Sequence, residues 1–173
     1  MALMAASSRE VEVRALPAWV VILVPILALG LQSFLPVHFA PFALLDLPLL
    51  VTIYFAIIRS SPIIGTVGGV LIGTLQDALT GLPLGVFGIT NSVIGYLAGS
   101  IGTWLDTENY GARLLFTFVF SFLHSVMYWL LMRRLLAQPA DWSWVREPLR
   151  ALINAVAGLV LFAILDTTRR SEY

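Results

Sequence analysis

Six runs of apolar residues, most of them near the length a bilayer requires, leave this chain few ways to fold. They cover residues 16–35, 42–58, 63–79, 84–105, 114–132 and 149–165, and the first is apolar apart from Gln32 and Ser33. Because hydrocarbon offers no hydrogen-bond partners, a run of this kind must satisfy its backbone internally, which an α-helix does. Hydrophobic residues make up 59% of the sequence and charged residues 12%, too apolar for a domain with a water-facing surface. The expected fold is an all-α integral membrane protein with six transmembrane helices in one domain. Residues 1–15 form a polar N-terminal tail and 166–173 a polar C-terminal one. A cleavable signal peptide is the rival account of the first run, since Ala28 and Gly30 are small. Glu10 and Glu12 in the leading segment and unbroken apolarity to Leu35 argue against it.

Pro36 and Pro41 bracket a turn before the second run, and Thr80, Gly81, Leu82 and Pro83 break the third from the fourth. A longer connection from 133 to 150 carries Trp142 and Trp144, residues suited to a membrane interface. Six spans put both termini on one side. With cytoplasmic termini, that side carries Arg9, Arg14, Arg59, Arg113, Arg169 and Arg170, against Arg133, Arg134, Arg146 and Arg150 on the other. This is a weak bias in the positive-inside direction. A re-entrant third run would strengthen it, but that run nearly reaches spanning length and an exposed loop would leave backbone groups unpaired.

All ten basic residues are Arg and the formal net charge is zero, so no basic field marks a nucleic-acid partner. Zero cysteines exclude disulfides and thiolate chemistry, and His38 and His124 lie far apart in sequence. No serine sits in a nucleophile elbow and no glycine pattern leads to a phosphate-loop lysine. Neither an enzyme nor a metal or organic cofactor is expected.

Ten of the thirteen glycines fall between Gly65 and Gly102. Gly65, Gly69 and Gly73 repeat every four residues and lead to Asp77, so they stack on one helix face above a carboxylate. Such a face lets a second helix approach closely in a membrane. The fourth run repeats the design with Asn91, Gly95, Gly99 and Gly102. These eight residues are candidates for helix packing or for a partner interface. The tight connection places Asp77 and Asn91 toward the same membrane surface, close enough for a direct or water-bridged hydrogen bond. A proton or ion pathway is the sharper reading of Asp77, although a relay needs more ionisable groups than Asp46, Asp77 and His124. His124 shares a seam with Ser121, Ser125 and Tyr128 and reads as a satisfied interior histidine. Asp46, two residues before Pro48, reads as a helix cap.

The stretch GGVLIGTLQDALTGLPLGVFGITNSVIGYLAG, from Gly68 to Gly99, resembles the rod shape-determining protein MreD family. The family's Gly, hydrophobic pair, variable, Asp pattern is matched by Gly73, Thr74, Leu75, Gln76 and Asp77, and its following Leu-Gly by Leu84 and Gly85. Thr74 departs from the usual apolar residue. The run LLDLPLLVTIYFAIIRSSP, from Leu44 to Pro62, is similar to the family's proline-led second helix. The resemblance implies a non-catalytic subunit of the cell-elongation machinery in the bacterial inner membrane. It implies as partners MreC and, through it, MreB, RodA and a class B penicillin-binding transpeptidase. The implied fold is similar to the substrate-binding subunits of energy-coupling-factor transporters, so a vitamin-binding or other small-molecule subunit is the alternative function. That alternative needs a small-residue docking surface on the first helix, where only Ala28 and Gly30 qualify.

Overall fold

The computed structural model describes residues 16–102, 104 and 109–168. The N-terminal tail with Arg9 and Arg14, and Arg169 and Arg170 near the C-terminus, lie outside the described residues. Among the described residues helix is the only regular secondary structure, with six α-helices: α1 (Ala18–His38), α2 (Leu47–Arg59), α3 (Pro62–Thr80), α4 (Val86–Ile101), α5 (Tyr110–Leu130) and α6 (Arg146–Asp166). A 3₁₀ turn at Ala40–Leu44 precedes α2, and a π-helical turn at Leu131–Leu135 extends α5.

Local chemistry sets these limits. Asp46 caps α2 by accepting from the Leu49 amide at 3.2 Å, and Pro48 lies in the first turn, where an amide hydrogen is dispensable. Ser61 caps α3 in the same way through Ile64, with Pro62 at its first position. Gly81 ends α3 with a φ of 68°, the left-handed geometry that favours glycine. Asn109 opens α5 by accepting from Gly111 and Ala112.

Four helices, α1, α3, α5 with its π turn, and α6, are long and apolar enough to cross a membrane. The other two are shorter, α2 at 13 residues and α4 at 16. The third run is one unbroken helix of 19 residues rather than a re-entrant loop. Short α2 is the axis of the bundle, touching all five other helices, and Leu49, Leu50, Val51, Ile53, Tyr54, Ala56 and Ile57 on it are buried. By contrast α1 buries only Val20, Ala28 and Leu29 and turns Ile22, Ile26 and Leu27 outward. An apolar exterior of this kind suits a lipid solvent.

Candidate functional site

The glycine ladder is filled from inside the protein. Helices α3 and α4 run antiparallel, and each step of four residues along α3 is matched by a step of four back along α4. A methyl group on Gly65 would overlap the Gly95 carbonyl, one on Gly69 the Asn91 carbonyl, and one on Gly73 the Phe87 carbonyl. The seam continues past the end of α3. A Cβ on Gly99 would lie 2.5 Å from the Ser61 carbonyl oxygen, and one on Gly102 2.6 Å from that of Ile57. No side chain fits at these positions without parting the helices, whereas Gly68 and Gly30 have nothing within 4 Å.

At the foot of the ladder Asp77 is wholly buried. Its carboxylate accepts three backbone N–H groups, from Gly85 at 2.8 Å, Phe87 at 3.0 Å and Gly88 at 3.2 Å. These belong to the first turn of α4, where amides have no partner within the helix. Gly85, at the cap position with a φ of 102°, has no side chain to supply one. Asp77 is therefore the N-cap of its neighbour, its charge set against the positive end of the α4 dipole.

Of the direct or water-bridged hydrogen bond expected between Asp77 and Asn91, the direct form is not made. The amides of the tight turn reach the carboxylate first, and Asn91 sits one turn deeper, level with Gly69. Its side-chain amide donates to Gln76 Oε1 at 3.4 Å instead.

A second polar group gathers at the same end of the bundle. Asp46 Oδ1 accepts from Gln76 Nε2 at 3.2 Å as well as from Leu49, and the Asp46 amide donates to Asn154 Oδ1 at 2.8 Å. Asn154 Nδ2 donates to the Leu44 and Arg150 carbonyls, both at 3.0 Å. Gln32 holds the same segment from α1, donating to the Leu45 carbonyl and accepting from the Leu47 amide. His124 is buried, with Nε2 3.1 Å from Thr90 Oγ1, Nδ1 3.8 Å from Asp46 Oδ2, and its ring stacked on Phe87. Together these side chains line a cavity of about 220 Å³ that Ser121, Ser125, Tyr128 and Arg150 complete.

Asp46, Asp77, Asn91 and His124 stand out in the sequence as candidates, whereas Gln32, Gln76, Asn154 and Arg150, which join Asp46 and His124 around the cavity, do not. Their signal was present. Gln32 and Asn154 are polar residues within otherwise apolar runs, and Gln76 stands beside Asp77. At the opposite end of the bundle, Arg113 pairs with Asp166 at 2.6 Å, and the Tyr54 hydroxyl donates to the same carboxylate at 3.0 Å. Among the described residues no cluster of three or more His, Cys, Asp or Glu could hold a metal ion.

No match is found among curated proteins, and none among solved structures. The sequence model of the rod shape-determining protein MreD family matches residues 13–167. That span takes in all six helices, the α3–α4 seam with Asp77, and the polar cavity. The chain thus belongs to the MreD family, and it is a membrane component of the system that determines rod shape.

Proposed function

We propose that the protein is a non-catalytic, six-span subunit of the bacterial cell-elongation complex in the inner membrane, with both termini cytoplasmic. It acts by contact: it binds MreC and, through MreC, joins the MreB filament to RodA and a class B penicillin-binding transpeptidase. The observation that carries this reading is the family match over residues 13–167. In this reading the short α2 and α4 also span, within a bundle similar to the substrate-binding subunits of energy-coupling-factor transporters.

Because the α3–α4 glycines meet each other, a partner helix must use a different surface. An apolar groove of about 380 Å³ between α1, α2 and α3 suits one, lined by Ile22, Ile26, Phe55, Gly68, Leu71 and Leu75 among others. Gly68 is open enough to carry a larger side chain. The test is affinity purification of the full chain co-expressed with MreC, after mild detergent extraction, with Gly68→Leu as the comparison. The expected result is MreC at a fixed ratio with the wild type and a reduced ratio with Gly68→Leu at equal protein level. Failure to recover MreC with the wild type, or recovery of a stoichiometric vitamin and an energising subunit, overturns the reading.

A further inference from the structure

The polar cavity has one saturated wall and one unsaturated wall. Gln32, Gln76 and Asn154 are held by hydrogen bonds to backbone and to each other's neighbours, so they form a fixed surface. On the facing α5 seam, Ser121 is 2% exposed and its hydroxyl has no hydrogen-bond partner. Ser125, 5% exposed, lines the cavity one turn later without a hydrogen bond to any described residue, as does Tyr128. Arg150 reaches in from α6 with its Nε unpartnered and Nη1 3.6 Å from Glu147 Oε2.

These hydroxyls depart from the habit of this chain. Ser33, Thr52, Thr66, Thr74, Thr90 and Ser100 all donate to the carbonyl four residues earlier, the usual way a hydroxyl is satisfied in an apolar helix. Ser121 and Ser125 do not. Thr117, one turn further from the cavity, is also unpartnered, so the whole seam lacks this internal bond. A buried hydroxyl left without a partner costs about 1–3 kcal/mol, and on this wall the Ser121 hydroxyl and Arg150 Nε are two buried donors without a protein acceptor.

The arrangement selects a ligand. A guanidinium beside three hydroxyls is a donor set for an oxyanion, which can accept from all four. The opposite corner wants the reverse. Thr90 Oγ1 lies 3.0 Å from the Val86 carbonyl, 3.2 Å from that of Phe87 and 3.1 Å from His124 Nε2, which holds the imidazole beside Asp46. Asp46 Oδ2 lies 3.8 Å from His124 Nδ1, beyond hydrogen-bond reach, and as a carboxylate oxygen it accepts from a donor placed there. Asp46 and Arg150 line the cavity with one charge of each sign, and Glu147 beside Arg150 adds a second negative one, which suits a zwitterion better than a bare anion.

We propose that the cavity formed by Asp46, His124, Ser121, Ser125, Tyr128 and Arg150 binds a phosphoethanolamine-like zwitterion, its phosphate on Arg150 and the α5 hydroxyls and its ammonium at Asp46 and His124. The volume of about 220 Å³ admits a headgroup rather than a vitamin-sized molecule. A neighbouring cavity of about 240 Å³ shares Ser125, Tyr128 and Arg150 and adds Trp129 and Trp142, whose Nε1 also lacks a partner. Tryptophans of this kind mark the depth at which phospholipid headgroups lie. The same chemistry is available from a membrane lipid or from a soluble molecule, and the experiment separates the two.

The full chain is reconstituted in nanodiscs of phosphatidylethanolamine and phosphatidylglycerol, released in the gas phase and weighed by native mass spectrometry. In parallel, its unfolding midpoint in detergent is followed against glycerophosphoethanolamine. Retained phosphatidylethanolamine, in preference to phosphatidylglycerol, identifies the lipid as the source. A saturable rise in midpoint without retained lipid identifies a soluble ligand. In either case Ser121→Ala with Ser125→Ala, or Arg150→Lys, lowers occupancy or affinity about tenfold or more, the loss expected for charge-assisted hydrogen bonds. If a variant fails to fold, displacement of the wild-type lipid by glycerophosphoethanolamine provides the reading. No retained lipid and no midpoint shift in the wild type overturns the proposal, as does equal binding by folded variants; the cavity then holds water only.

Discussion

Replacing Asp77 by Asn tests the packing account at its most exposed point. The carboxylate offers two oxygens to three amides, with Oδ2 accepting from Gly85 and Gly88 and Oδ1 from Phe87. An asparagine has one acceptor oxygen. In its best rotamer that oxygen replaces Oδ2, and the NH₂ group then faces the Phe87 amide, donor against donor. The orphaned amide costs about 1–3 kcal/mol. The two retained bonds fall from charge-assisted to neutral strength, a further loss of about 1 kcal/mol each that includes the lost dipole interaction. Asp77→Asn is therefore expected to destabilise the protein by about 3–5 kcal/mol. The measurement is reversible unfolding in mixed micelles, titrating sodium dodecyl sulfate into a mild detergent and following helix loss by circular dichroism. A relay function for Asp77 predicts the opposite outcome, unchanged stability with loss of a proton-dependent activity. A change below about 1 kcal/mol would refute the capping argument, because that is less than a single orphaned buried amide should cost.

Gly69→Leu should abolish accumulation of the folded protein, since its side chain collides with the Asn91 carbonyl, while Gly68→Leu should accumulate normally; membrane-fraction immunoblots compare them. Asn154→Leu leaves the Asp46 amide and Leu44 carbonyl without their partner and should cost about 2–4 kcal/mol in the same micelle titration, against little effect for Ser33→Ala. Arg113→Gln should cost about 1–3 kcal/mol, less than a fully buried pair because the Asp166 side chain is 27% exposed, and a double-mutant cycle with Asp166→Asn should give a coupling well above zero.

Much of this architecture was legible because bilayer physics acts on sequence one segment at a time. Run length and apolarity gave the helices, proline and glycine gave their breaks, and Asp46 read correctly as a cap because its partner, the Leu49 amide, is three residues away. The runs 42–58 and 84–105 are longer than the helices α2 and α4 within them, since sequence does not show that residues at their ends serve as turns and caps. Four-residue glycine spacing predicted close helix contact but could not name the second helix. Periodicity describes a face, and a face says nothing about what lies against it.

Tertiary structure decided that second helix. The α3–α4 register puts Gly65 on Gly95 and Gly73 on Phe87, so the ladder is an interior seam. The same register sends Asp77 to the backbone of the next helix rather than to Asn91, because a tight turn brings unsatisfied amides closer than any side chain. Only the fold gathers Gln32 of α1, Asp46 at the cap of α2, Ser121 of α5 and Arg150 of α6 around one cavity. The sequence by itself determined that the chain lives in a membrane and where its helices run, since each of those is a local contest between backbone and lipid. Which polar groups meet, and which are left unsatisfied, depends on pairings between residues as far apart as 112 positions, and only packing sets those.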